Sequence, residues 1–188
     1  MFFVLFFVAF SNADYAIKYE STGEFKAYKL GKCYYKGDGL YVRYEKKDSN
    51  LEYYSGSSCD KTVLGGSGSG FDKLQDYRLE SKLPKYYLVK KTFEETTTCL
   101  FTDDVISPEY KYYPEGCITS EGESKKYSID NNLVHVYSYL NSKCEGTGEI
   151  DTEEYKKCLI NGKNSWMFTD SSVSLSFALA IGFLIFMF

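Results

Sequence analysis

The chain has 188 residues, a formal charge of −4 and 19 tyrosines. Three prolines, 15 glycines and 18% aromatic residues exclude a disordered chain. A pI near 5.2, with Lys alternating with Glu and Asp along the chain, excludes a nucleic-acid partner and a generic polyanion binder.

Residues 2–10 (FFVLFFVAF) form an apolar run too short to span a bilayer but matched to the core of a secretion signal. Ser11 and Ala13 hold the small positions that a signal peptidase reads, so residues 1–13 are expected to be a signal peptide cleaved before Asp14. No Lys or Arg precedes the run, which leaves the α-amino group as its positive charge. With both apolar ends removed, about 150 residues remain, enough for one domain or two small ones.

The polar middle reads as two β repeats, residues 14–80 and 81–163. Cys33 and Cys59 are 26 residues apart, and Cys117 and Cys144 are 27 apart. Gly31-Lys32-Cys33 and Gly116-Cys117 open the paired segments, and Tyr54 and Tyr139 each stand five residues before the second cysteine. Asp60 and Glu145 follow those cysteines, and Tyr15-Ala16-Ile17-Lys18 loosely matches Tyr87-Leu88-Val89-Lys90. Repetition of this kind signals a duplicated unit.

Within each repeat, side chains alternate as strands require. Tyr41, Arg43 and Glu45 share one face, and so do Leu133, His135, Tyr137 and Tyr139. Turn residues fall at Gly37-Asp38-Gly39, Asp48-Ser49-Asn50, Glu121-Gly122 and Asp130-Asn131. The fold class is therefore all-β, with two antiparallel meanders that pack together and an apolar helical tail. Asp151-Thr152-Glu153-Glu154 has capping-box spacing and predicts one short helix through Lys157.

Six cysteines follow the signal, an even number that implies disulfides in a secreted chain. The first repeat holds only Cys33 and Cys59, so these should pair. Equivalence then pairs Cys117 with Cys144 and leaves Cys99 for Cys158. The sequential pattern Cys99–Cys117 and Cys144–Cys158 is the rival. No C-x-x-C pair exists and His135 is the sole histidine, so no metal site, cofactor or zinc cluster is expected.

No residue pattern amounts to an active site, and no catalytic residue is predicted. The run Gly65-Gly66-Ser67-Gly68-Ser69-Gly70 lacks the Gly-Lys-Ser/Thr ending of a phosphate loop and reads as a flexible loop. His135, between Val134 and Val136, reads as a strand histidine among tyrosines. The pairs Glu94-Glu95, Asp103-Asp104 and Glu153-Glu154 are adjacent in sequence. On a strand they point to opposite faces and cannot converge on a glycosidic bond. The tyrosine faces remain. They supply rigid contact area for a glycan or a protein partner, or cover a thin core.

Residues 173–188 (VSLSFALAIGFLIFMF) are apolar to the last position. As a helix they reach about 24 Å, short of a hydrocarbon core of roughly 30 Å, and no Lys or Arg follows them. A GPI-attachment signal is the preferred reading, with residues 164–188 as its spacer and apolar tail, and a single-pass helix is the alternative. Candidate attachment residues are Asn161, Gly162, Asn164 and Ser165; Asp170, with Ser171 and Ser172, is a better small triplet but lies close to the tail.

The pattern from Tyr139 to Thr147, Tyr-x-x-x-x-Cys-x-Gly-Thr, together with the flanking apolar ends, resembles small secreted Tyr- and Cys-rich surface proteins of amoebae and other protists. The resemblance spans most of the mature region and implies localisation, not activity. The expectation is thus a non-enzymatic protein on the extracellular side of the plasma membrane. It is held by its C-terminus and acts by binding or coating, with carbohydrate binding through exposed tyrosines as the alternative.

Overall fold

The computed structural model describes residues 14–68 and 74–170. The expected signal peptide and the expected anchor tail fall outside them. Among the described residues, no helix is long and apolar enough to cross a membrane. The fold is all-β.

The chain begins with a hairpin of β1 (Tyr15–Tyr19) and β2 (Phe25–Lys29). Strands β3 (Cys33–Tyr35), β4 (Tyr41–Lys47), β5 (Asn50–Gly56) and β6 (Val63–Ser67) follow as an antiparallel meander. Strand β7 (Tyr77–Glu80) then returns to pair with β1.

A second course repeats the itinerary. Strand β8 (Leu88–Phe93) is joined by a long loop, containing β9 (Ile106–Ser107), to its partner β10 (Glu109–Tyr113). Strands β11 (Cys117–Ser120), β12 (Glu123–Asp130), β13 (Leu133–Tyr139) and β14 (Glu149–Glu154) form the second meander. After β15 (Leu159–Asn161), strand β16 (Asn164–Asp170) returns to pair with β8.

The two courses join where β2 pairs with β10. The result is one seven-stranded sheet in the order β15-β16-β8-β10-β2-β1-β7. One meander is a separate four-stranded sheet; the other is extended to five strands by β9, which lies parallel to β3.

Local chemistry explains the turns. Glu121-Gly122 and Asn131-Asn132 are two-residue loops with both φ angles positive, the mirror-image turn that matches strand twist. Gly65 has a different role: a Cβ there would sit 2.9 Å from the Tyr53 ring, so only glycine lets β6 lie against β5.

Both meanders cover the same face of the seven-stranded sheet. Ala16 and Tyr28 pack with Tyr34, Val42, Tyr44, Leu51 and Tyr53 of the first. Leu88, Tyr113 and Phe168 pack with Ile118 and Val134 of the second. Bridges Cys33–Cys59 and Cys117–Cys144 each tie the first strand of a meander to the loop after its third strand. Cys99–Cys158 ties the long β8–β10 loop to the segment before β15.

Three expectations require correction. Residues 151–154 are not a helix but part of β14, which pairs with β13 over six positions, Leu133↔Glu154 to Ser138↔Glu149. A single capping box cannot nucleate a helix against that ladder. Residues 164–170 are not a spacer: β16 carries Ser165, fully buried, and Phe168, 2% exposed. Gly65, Gly66 and Ser67 lie in β6 rather than in a flexible loop; Ser69 and Gly70 fall outside the described residues.

Candidate ligand-binding groove

Among the described residues, no sheet packs on the other face of the seven-stranded sheet. Alternation along β1, β2, β8 and β10 sends Tyr15, Ile17, Phe25, Ala27, Val89, Tyr110 and Tyr112 to this side. The segment between β7 and β8 crosses it and packs Leu83 and Tyr86 against the apolar cluster. Around this crossing lie three adjoining hollows of about 490, 300 and 320 Å³. The first and second share Tyr15 and Leu83, the second and third share Tyr110 and Tyr112, and Tyr86 lines the first and third.

Aromatic contacts fix the floor. Tyr112 stacks on Phe25 with ring centroids 4.9 Å apart and planes 5° from parallel. Tyr86 meets Tyr112 edge-on at 4.7 Å, and Tyr110 lies 6.2 Å from Tyr112. Tyr112 is 6% exposed, so it forms the base, while Tyr15, Tyr86 and Tyr110 are half-buried walls. Burial pushes the Tyr112 phenol up, with Tyr86, Tyr110, Tyr34 and Tyr15 adding to the shift. Burial also raises Tyr110, and raises Tyr86 together with Tyr15 and Asp170. These phenols are therefore neutral O–H groups across the physiological range, able both to donate and to accept.

Cations surround the aromatics. Lys29, Lys32, Lys82, Lys85, Lys91 and Lys156 line the hollows, against Asp14 and Asp170. Lys85 pairs with Glu115 at 3.0 Å and Lys156 with Asp170 at 3.1 Å. Among the described residues, no carboxylate pairs with Lys29, Lys32, Lys82 or Lys91.

The residues singled out from sequence lie elsewhere. His135 is half-buried on the outer side of β13, facing Ser128 and Thr152, with its ring 6.2 Å from Tyr137. Tyr137 and Tyr139 share that side and line none of the three hollows. The acidic pairs are occupied by local bonds. Glu95 accepts from the Tyr35 hydroxyl, Asp103 from the Val105 amide at 2.9 Å, and Glu153 from the Trp166 indole at 2.6 Å. All six cysteines are in disulfides. Among the described residues, no three His, Cys, Asp or Glu side chains are grouped to hold a metal.

The candidate lipid-attachment residues divide in two. Asn161 ends β15 and Gly162 makes the turn. Asn164 and Ser165 lie inside β16, where Asn164 accepts from the Glu95 amide and Ser165 from the Cys99 amide. Asp170 is the last residue of β16 and lines the third hollow.

Tyr15, Tyr86, Tyr110 and Tyr112 were not foreseen as a group. They come from two strands and a linker, and only the β2–β10 pairing brings them together. One usable signal was present: Glu24-Phe25-Lys26-Ala27-Tyr28 and Glu109-Tyr110-Lys111-Tyr112-Tyr113 share the pattern Glu-aromatic-Lys-x-Tyr. Against models of known families, curated proteins and solved structures, the chain has no match.

Proposed function

We propose that this protein is an extracellular, membrane-anchored binding protein that holds carbohydrate in its tyrosine-lined groove and carries out no reaction on it. The supporting observation is the convergence of Tyr15, Tyr86, Tyr110 and Tyr112 on a concave sheet face that carries no second sheet among the described residues. Aromatic faces pack against the C–H surface of a sugar ring, and phenol hydroxyls exchange hydrogen bonds with its hydroxyl groups. Three disulfides accord with an oxidising compartment. The test is calorimetric titration of the full-length protein, in neutral detergent, with a panel of hexasaccharides. At least one should bind, and Tyr86→Ala should weaken it about ten-fold. Absence of binding across the panel would refute the reading.

The anchor is proposed to be GPI, with a single-pass helix as the alternative. Attachment at Asn161, Gly162, Asn164 or Ser165 would remove most or all of β16 and uncover β8, so Asp170 is the candidate compatible with the sheet. Phosphatidylinositol-specific phospholipase C should release the protein from intact cells, with a mature C-terminus at Asp170 or just beyond. Tail peptides found on a phospholipase-resistant surface protein would favour the single-pass alternative.

The duplication is proposed to comprise residues 15–80 and 88–170, each a strand pair, a meander and a returning strand. Its main support is that Lys26 pairs with Lys111, the same position of the shared Glu-aromatic-Lys-x-Tyr pattern, as a twofold relation demands.

A further inference from the structure

We infer that the groove selects acidic oligosaccharides, those bearing carboxylate or sulfate groups, over neutral ones. The inference rests on the carbohydrate reading above and concerns its ligand class. The chain as a whole is acidic at −4, yet the groove is locally basic. Lys29, Lys32, Lys82 and Lys91 have no carboxylate partner among the described residues, whereas other lysines, such as Lys18, Lys26, Lys36 and Lys111, are paired. The opposing charge is small: Asp170 is already paired with Lys156, which leaves Asp14 at one end.

The four lysines are spread along the groove. Lys82 lies in the first hollow, Lys29 and Lys32 in the second and Lys91 in the third. A ligand that meets all of them must carry repeated negative charge along its length. Each lysine is a compact ammonium and no arginine lines the hollows, so recognition is by point charge rather than by a bidentate fork. The recessed floor separates this ligand from an anionic membrane surface. Tyr112 lies too deep to meet a planar bilayer, but an extended sugar chain can enter the hollows and stack on Tyr86 and Tyr110.

The test uses the full-length protein in neutral detergent and four probes. These are a galacturonic-acid hexamer, the same hexamer fully methyl-esterified, a heparin hexasaccharide, and lipid vesicles containing phosphatidylserine. The free acid or the heparin fragment, or both, should bind at least ten-fold more tightly than the ester, with the advantage shrinking as salt rises. Carboxylate and sulfate selectivity are separated by which of the two prevails. Lys29→Gln with Lys32→Gln, both on exposed side chains, should cut acidic-probe affinity about ten-fold and leave thermal unfolding unchanged. Equal binding of acid, heparin and ester overturns the charge inference and leaves the carbohydrate reading intact. Binding of the ester alone does the same. Binding of none of the three sugars overturns the inference, and binding of vesicles alone transfers the groove to lipid.

Discussion

The two half-cores follow one strand plan and fill it differently. In the first, Ala16 stands opposite Tyr28, and Tyr44 opposite Tyr53. In the second, Leu88 stands opposite Tyr113, and Tyr127 opposite Val136. The first combines a small residue on the central sheet with a large one on the meander, and the second reverses the two. Ring contacts persist through the exchange: Tyr28–Tyr44 centroids are 4.7 Å apart and Tyr113–Tyr127 centroids 4.5 Å. The polar requirements do not. Tyr77 lies 3.1 Å from Tyr44, hydroxyl to hydroxyl, while Phe168, in the corresponding place opposite Lys90, needs no partner. Volume is held and chemistry is free to vary, as in any tightly packed interior.

The halves also differ where they meet. Lys26 and Lys111 are directly opposed, an arrangement that like charges disfavour. Each is neutralised from the other strand pair: Lys26 by Glu109 at 2.5 Å, Lys111 by Glu24. The exchange is unequal. Glu109 also serves Lys36 and accepts from Tyr28 at 3.0 Å, whereas Lys111 has a second carboxylate in Glu20 at 2.8 Å. Glu109→Gln therefore strands two ammonium groups and should cost about 3–5 kcal/mol. Glu24→Gln leaves Lys111 with Glu20 and should cost about 1–2 kcal/mol. Urea unfolding of both variants at pH 7 measures the difference. Equal losses would mean that the junction is energetically symmetric and that Lys36 adds nothing to it.

The packing comparison makes a smaller prediction. Tyr53→Val alone opens a cavity and should cost about 2–3 kcal/mol. Ala16→Leu alone overfills the first core and should cost about 1–3 kcal/mol. Together they install the second half's combination in the first, and the double variant should lie within about 1 kcal/mol of the original. Additive losses in the double-mutant cycle would show that the two cores are not interchangeable solutions.

The strands legible from sequence were those whose alternation is local. Tyr41–Lys47 and Leu133–Tyr139 carry period-2 patterns and fold as β4 and β13. The cysteine argument worked because the bridges close equivalent loops, so absence from one segment carried information about the other. Three features were hidden. Asp151–Glu154 satisfies a helical rule locally, and its strand form depends on β13, a partner distant in sequence. Trp166 and Phe168 alternate inward, but their nearness to the apolar tail made the segment read as spacer. The groove depends on the pairing of β2 with β10, which no local pattern encodes. The net charge was also a poor guide to it, because the excess of acidic residues over the whole chain hides the lysines that line the groove.

The junction should also depend on acid. Burial alone would raise the Glu109 carboxyl, but Lys36 and Lys26 overcome it and hold the group at about 2. An unfolded carboxyl titrates near 4.3, so the folded value is depressed. The stabilisation is fully present above the unfolded value and is lost as pH falls through the folded one. The window is thus about pH 4.5 down to 2, with a loss on the order of 2 kcal/mol. Burial pushes the Lys36 ammonium below the ordinary lysine value, with Glu109 opposing. Glu20 is also lowered, with Lys111 outweighing its burial, so the informative quantity is the stability difference between the original protein and Glu109→Gln. Protonated Glu109 and glutamine are both neutral, and the gap between the two proteins should narrow by about 2 kcal/mol from pH 5 to pH 2. A gap that stays constant would mean that Glu109 titrates alike in the folded and unfolded chains, and that Lys26 and Lys36 do not hold its carboxyl down.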